Sequence, residues 1–296
     1  MDLCFFCGQG LNNEKHMHKK CTKKLFTTNY IPKLNLTLKD VVFDAQKMAG
    51  KLSISGVQPK LSIKLNKSEK ELEPVAESGE YILKPQTESF PNLPQNENLC
   101  MTIASCLGID TAMQTLVKLQ DNSWAYVVKR FDRNKENRIH QEDFFQILEK
   151  EDKYRGSVEE IGSKLKKISD VPGLDVQLFY ERVLFNFIIG NGDAHFKNFS
   201  ITYHSDGAVR LSKAYDIVSS KLVIPNEEDM ALSLNGKKNK ITGRDFQKFA
   251  EYLEIPKKVV KGNLIDSSIL SNLEKETLLK IVADRFKRLR KIQMQF

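Results

Sequence analysis

The alternation of apolar and polar positions divides the 296-residue chain into a front rich in short strands and a back rich in helices. Leu61-Ser62-Ile63-Lys64-Leu65 alternates with the period of two that a half-buried strand requires, and Tyr81-Ile82-Leu83-Lys84 is a second β-rich run after a polar turn. On this basis the stretch from about 38 to 85 reads as strand-like. Pro85, Pro91 and Pro94 punctuate a loop, after which Asn98 to Leu107 spaces its apolar residues as a helix ending before Gly108. Gln114 to Leu119 and Trp124 to Lys129 read as two more strands. Beyond Phe131 the period lengthens: Glu142 to Glu149 and the apolar stretch Val176 to Ile189 predict helices. Ile201 to Tyr203 and Val209 to Leu211 predict a hairpin around Asp206-Gly207. Leu273 to Ile292 predicts an amphipathic helix with Leu278, Val282, Phe286, Leu289 and Ile292 as its buried stripe.

The expected architecture is therefore α+β in two lobes. Residues 1–30 form a Cys/His knuckle or N-terminal extension, 31–131 a sheet-rich N-lobe and 132–296 a helical C-lobe. The chain is long enough for each lobe to bury its own core, and 41% hydrophobic with 28% charged residues is ordinary globular composition. No apolar run approaches the roughly 18 residues of a membrane span, and Met1-Asp2-Leu3-Cys4 does not open a secretory signal, so the cytoplasm is the expected location. A net charge of +8 fits phosphate-bearing or acidic partners. An odd set of five cysteines argues against a secreted disulfide framework and for reduced thiols or a metal site.

The sharpest chemistry lies in Asn191-Gly192-Asp193-Ala194-His195-Phe196-Lys197-Asn198, a polar island after the apolar run. An Asp and an Asn five positions apart match the catalytic loop of protein kinases, in which the Asp accepts the substrate hydroxyl proton and the Asn ligates Mg²⁺. Asp216, in Ala214-Tyr215-Asp216-Ile217, supplies a further carboxylate at the expected end of a strand, suited to the metal that bridges the phosphates. Alone, Asp193 and Asn198 also fit turn or cap positions; with His195, Lys197 and Asp216 at kinase-like spacing they read as a site. Ser53-Ile54-Ser55-Gly56-Val57-Gln58-Pro59-Lys60 is a turn entering a strand, whose backbone N–H groups can cradle phosphate, although one glycine is a weak signal. Lys84 is placed as the strand lysine that contacts the α- and β-phosphates, with Glu97 as its ion-pair partner. Lys129, Arg130 and Phe131 stand where a hinge contacting adenine belongs.

These segments, together with Lys129-Arg130-Phe131-Asp132-Arg133 and His140-Gln141-Glu142-Asp143, resemble the HipA family of Ser/Thr kinase toxins over essentially the whole chain. The resemblance implies a two-lobed protein-kinase-like fold, ATP and Mg²⁺ as cofactors, Asp193 as catalytic base, and Asn198 and Asp216 as Mg²⁺ ligands. It also implies ATP contacts from Ser55, Gly56, Val57, Gln58, Pro59, Lys60, Lys84, Lys129, Arg130, Phe131, His195, Phe196, Lys197, Asn198, Tyr215 and Asp216. Members of the family autophosphorylate a serine in the Gly-containing loop, which implies Ser53 or Ser55 here; a phosphoserine of about −1.5 to −2 charge would repel the triphosphate. The chain is too short for the additional N-terminal subdomain of full-length HipA proteins and resembles the HipT type of HipB-HipS-HipT systems. That implies a small HipS-like antitoxin, a HipB-like DNA-binding protein and an aminoacyl-tRNA synthetase substrate, glutamyl or tryptophanyl. Many relatives carry Glu where Lys129 stands.

Cys4-x2-Cys7 followed by His18-x2-Cys21 has the residue types and pair spacing of a structural Zn²⁺ site, with His16 as an alternative fourth ligand and free thiols as the bland reading. Cys100 and Cys106 read as core residues on a helix. The runs Lys237-Lys238-Asn239-Lys240 and Lys287-Arg288 read as solvated charge. Two other functions stay open on the residues alone: a non-catalytic zinc-knuckle protein binding nucleic acid, and a kinase-like fold that binds nucleotide without transferring phosphate.

Overall fold

The protein is described here from a computed structural model covering residues 2–48, 58–134, 137–255 and 272–290. The chain begins with two helices, α1 (Lys19–Phe26) and α2 (Leu38–Met48). The second corrects the sequence reading, which took it as strand-like; the first lies in the segment read as a Cys/His knuckle or N-terminal extension. In α1, Leu25 and Phe26 are fully buried, so this segment is core. For α2 the overlooked signal is its start. The Thr37 N–H and hydroxyl donate to Asp40 Oδ2 at 2.8 and 2.7 Å, and Asp121 Oδ2 accepts the Leu38 N–H at 2.8 Å. These bonds satisfy amides that a helix start leaves without intrahelical partners.

Five strands follow: β1 (Leu61–Asn66), β2 (Glu71–Pro74), β3 (Tyr81–Pro85), β4 (Gln114–Lys118) and β5 (Trp124–Lys129). They form one antiparallel sheet in the order β2-β1-β3-β5-β4. Alternation in β1 buries Leu61 and Ile63 on one face, whereas β5 buries Ala125, Tyr126, Val127 and Val128 in succession, as a strand covered on both faces does. Helix α3 (Leu93–Cys106) lies between β3 and β4 in sequence and packs on β4 and β5. These elements belong to the first of two compact units, which runs to Cys106 and includes Ala112–Phe131.

The second unit comprises Leu107–Thr111 and the chain from Asp132. It opens with a small ribbon, β6 (Arg133–Asn134) and β7 (Asn137–Arg138), followed by β8 (His140–Asp143) and the single-turn α4 (Phe144–Ile147). The helix expected over 142–149 is thus a strand end and one turn. Asp143 and Gln146 form a reciprocal cap that starts the turn, and Glu149 at φ 49° stops it. Helices α5 (Val158–Ile168) and α6 (Pro172–Ile189) carry the main core, with Phe144, Ile161, Phe179, Phe187 and Phe196 fully buried. Strands β9 (Ser200–Tyr203) and β10 (Val209–Leu211) form the expected hairpin and extend it to β8. Helix α7 (Gly243–Tyr252) and helix α8 (Asn272–Arg290) complete the unit. In α8, Leu278 and Val282 are buried and Phe286 is half-buried; the side chains of Leu289 and Ile292 lie outside the described part.

Asp175, in the first turn of α6, ties that helix to the hairpin. Its carboxylate accepts the Ser169 hydroxyl at 2.6 Å, the Leu211 N–H at 2.9 Å and Arg210 Nη2 at 2.8 Å. Burial alone would raise its pKa; the Arg210, Ser169 and Leu211 donors outweigh burial and hold it below the usual carboxylate range. A depressed native pKa adds stability that is present above the unfolded value of about 3.9 and is lost as pH falls through the native value. Asp175→Asn is expected to cost about 3 kcal/mol at pH 7 in equilibrium denaturation of the full chain, and to flatten the loss of stability below about pH 4.

Candidate functional site

Helix α6 stops at Gly190, whose φ of +77° suits glycine, and a Cβ there would lie 2.9 Å from Ile281. The polar segment 191–198 begins immediately after it. Asn191 is buried and donates through Nδ2 to Asn186 Oδ1 at 2.8 Å, which ties the segment back to the helix. Gly192 packs so closely that a Cβ would meet the Glu227 carboxyl at 2.6 Å and the Glu228 carbonyl at 2.7 Å, while its N–H donates to Ser220 Oγ at 2.7 Å. Phe196 and Phe199 then enter the core. The side chains between these anchors are presented on a held backbone.

Asp193 is exposed, and one carboxylate oxygen accepts the Tyr154 hydroxyl at 2.8 Å. Asn198 ends a 3₁₀ turn over 196–198; its Oδ1 accepts the His195 N–H at 2.9 Å and its Nδ2 donates to Asp216 Oδ2 at 3.0 Å. Asp216 does not end a strand. Ala214 makes an isolated bridge with Thr111, and Asp216 itself sits at φ 59°, a left-handed conformation that Asp tolerates better than most residues. Asn198, Tyr215 and Asp216 line a small pocket with Arg182, Asn186 and Asn191. The Tyr215 hydroxyl donates to the Lys197 carbonyl at 2.9 Å and lies 3.1 Å from Ser200 Oγ.

The remaining residues of the segment have mixed placements. His195 is buried, with Lys153 Nζ at 3.0 Å from its Nε2; burial and the Lys153 ammonium hold its pKa below the ordinary value. Nε2 can accept from the Lys153 ammonium only in the neutral ring. Phe196 is fully buried and spends its side chain on the core, and Lys197 is exposed over the Phe145 ring at 4.4 Å. Tyr154 and Glu227 were not found from sequence. Glu227 is pushed above the usual carboxylate range by burial, against the hydroxyl of Ser220, which donates to it at 2.6 Å. Neither residue lies near the Asp193 segment in sequence, and neither carries a local motif.

In the first unit, Lys84 is 5% exposed and pairs with Glu97 at 2.6 Å, with its ammonium 5.6 Å over the Tyr126 ring. Gln58 donates to the Pro85 carbonyl at 2.8 Å; Pro59 is half-buried and Lys60 exposed. Ser53, Ser55, Gly56 and Val57 lie outside the described residues. The N–H groups of Lys129 and Arg130 are committed to the carbonyls of Met113 and Glu80 at 2.8 and 2.9 Å, so they are not donors to a base. Lys129 Nζ turns to the Leu25 carbonyl at 3.2 Å. The donor atoms of Cys4, Cys7, His18 and Cys21 all lie within 4.8 Å of one another, whereas His16 stacks on Phe5 at 5.3 Å between centroids.

A family model described as the HipA-like C-terminal domain matches residues 52–284. The chain belongs to this family. It is 30% identical over 271 residues, covering 81% of this chain and 77% of the relative, to a Haemophilus influenzae protein whose name calls it a candidate kinase. It is 26% identical over 238 residues to the serine/threonine-protein kinase toxin HipA of Shewanella oneidensis, covering 72% of this chain and 54% of that protein. The solved Shewanella HipA, in a complex with HipB and operator DNA, matches with a TM-score of 0.58 at 24% identity, over 80% of this chain and 56% of that one. The HipA-like chain thus shares the mixed helix-and-sheet fold of a HipA kinase while spanning about half the length of the Shewanella relative. Among the described residues, no helix is long and apolar enough to cross a membrane.

The donor set around Asn198 fits a Mg²⁺ ion. Asp216 brings a hard carboxylate, and the Asn198 amide oxygen keeps a second lone pair beyond the one that accepts the His195 N–H. Mg²⁺ needs few protein ligands, because it retains waters and draws on phosphate oxygens. The Lys84–Glu97 pair is the comparable fixed point of the first unit. Lys84→Met is expected to destabilise that unit by about 3–5 kcal/mol, because Glu97 loses its buried cation, and Lys84→Met with Glu97→Leu should recover part of the loss. The sole tryptophan, Trp124 in β5, makes intrinsic fluorescence during denaturation the direct measurement.

Proposed function

We propose that this chain is an ATP- and Mg²⁺-dependent serine/threonine-protein kinase of the toxin type. The observation that carries the reading is the 3.0 Å contact between Asn198 and Asp216, on the same unit and next to the segment that exposes Asp193. In this reading Asn198 and Asp216 hold the Mg²⁺. When bound, the ion neutralises charge on the phosphates. Asp193 accepts the hydroxyl proton of the substrate Ser or Thr, with Tyr154 fixing the orientation of its carboxylate. Lys84, oriented by Glu97, contacts the α- and β-phosphates. On the family resemblance, residues 55–60, 129–131, 195–198 and Tyr215 are assigned as further nucleotide contacts, Lys129 and Arg130 through groups other than their committed N–H donors.

The finer assignments rest on the family. The Shewanella HipA is found with HipB and its operator DNA. For this chain we assign a HipB-like DNA-binding protein and a HipS-like small antitoxin as partners. An aminoacyl-tRNA synthetase is assigned as the substrate, whose phosphorylation would inhibit translation. Ser53 or Ser55 is assigned as the autophosphorylation site, where a phosphate of about −1.5 to −2 charge would oppose the bound triphosphate.

The test is incubation of the purified chain with Mg²⁺ and γ-labelled ATP beside Asp193→Ala. Transfer to protein should fall by about 10²–10⁴-fold in the variant while nucleotide binding persists. Phosphopeptide mapping should find Ser53 or Ser55 modified in the wild type and neither in the variant. Undiminished transfer in Asp193→Ala would refute the base assignment. Nucleotide binding without any transfer by the wild type would leave a non-catalytic nucleotide-binding protein.

A further inference from the structure

We infer that Cys4, Cys7, His18 and Cys21 bind one Zn²⁺ per chain, as a closed structural site that fastens the N-terminal knuckle and α1 to the sheet of the first unit. The four donor atoms lie within 4.8 Å of one another, which leaves room for a single ion and not for a cluster. Two of the spacings are resolved: Cys7 Sγ to His18 Nδ1 is 3.5 Å and Cys21 Sγ to His18 Nδ1 is 3.8 Å. Zn–S and Zn–N bonds of about 2.3 and 2.0 Å in a tetrahedron put donors about 3.5–3.8 Å apart. Three thiols and one imidazole are the soft and borderline ligands that select zinc among common divalent ions.

The surroundings are built for that set. His18 turns its other nitrogen, Nε2, to the Gly10 carbonyl at 3.0 Å, which places the ring proton there and leaves the Nδ1 lone pair directed at the thiols. The backbone folds the two ligand pairs together. Cys4 N–H donates to the Gln9 carbonyl at 2.9 Å and Gly8 N–H to the Cys4 carbonyl at 2.8 Å; Gly8 sits at φ +69°. Phe5 N–H donates to the His16 carbonyl at 2.9 Å, which brings His18 beside the first turn. Cys4 and Cys21 are 1% and 6% exposed, so the ion would lie at the edge of the core and not on a loose tail. Four protein ligands leave no open coordination position, which excludes a hydrolytic role and fits a structural one.

The knuckle is wired to residues that matter to the rest of the unit. The Phe5 carbonyl accepts Asn98 Nδ2 at 2.7 Å, on the helix that carries Glu97. The Phe5 ring lies edge-on to Trp124 at 5.6 Å between centroids. At the far end of α1, the Leu25 carbonyl accepts both the Tyr81 hydroxyl and Lys129 Nζ at 3.2 Å. Loss of the ion would therefore loosen the supports of α3 and β5 together.

The test uses the full chain, purified under reducing conditions without chelator. Elemental analysis should find one zinc per chain, and a thiol-blocking mercurial should release it. Cys7→Ser should lower the stoichiometry while Cys106→Ser retains it. Removal of the metal by chelation should lower the melting temperature by at least about 5 °C and change Trp124 fluorescence, with both restored by Zn²⁺ and not by Mg²⁺. Wild-type protein that is folded without zinc and gains nothing from adding it would overturn the assignment, as would a disulfide among these three cysteines or equal loss of zinc in Cys106→Ser. Because the wild-type chelation and refilling arm needs no variant, a Cys7→Ser chain that fails to fold does not blunt the test.

Discussion

The second unit depends on a polar segment being pinned at both ends by groups that cannot move. At the N-terminal end, Gly190 breaks α6 and Asn191 hydrogen-bonds back to Asn186 at 2.8 Å. At the C-terminal end, Phe196 and Phe199 are buried in the main core. Burying two aromatic rings is worth several kcal/mol, far more than the hydrogen bonds of the segment itself, so the core sets the backbone and the polar side chains follow from it. Replacing either anchor would misplace Asp193 and Asn198 without touching their chemistry. The same logic explains the tight fit of Gly192 against Glu227 and Glu228, where even a methyl group has no room.

Much of this was legible in the sequence where it was local. The β1 alternation, the apolar run of α6 and the β9–β10 hairpin each carry their signal within a few residues, and each stands near its expected place. The misreadings arose where tertiary partners decide. Helix α2 was taken as strand-like because the alternation of Leu61–Leu65 and the run Tyr81–Lys84 were extended back to about residue 38; its start is set by Asp40, which caps Thr37, and by Asp121 from a distant turn. Strand β2 is too short and polar to announce itself, and it exists because β1 offers an edge. At the site, Asp193 and Asn198 were readable because a turn holds them five residues apart. Tyr154 could not be found, because nothing near it in the chain mentions Asp193, 39 residues away.

The carboxylates of the second unit divide by what holds them, and the division separates scaffold from site. Asp175 is bound by Arg210, Asp229 by Arg285 and Arg288, and Asp245 by Lys237; in each, donors and cations outweigh burial and hold the pKa low. These are closed pairs whose charge is already matched. Asp193, by contrast, is held by the neutral hydroxyl of Tyr154, and Glu227 by the neutral hydroxyl of Ser220, while burial and the negative charge of Asp193 help push Glu227 up. Neutral donors fix a carboxylate's position without cancelling its charge. The Lys221 ammonium, which donates to the Glu227 carbonyl at 3.0 Å, opposes that shift without outweighing burial. A divalent cation at the proposed site beside Asn198 and Asp216 would add positive charge to the same unit.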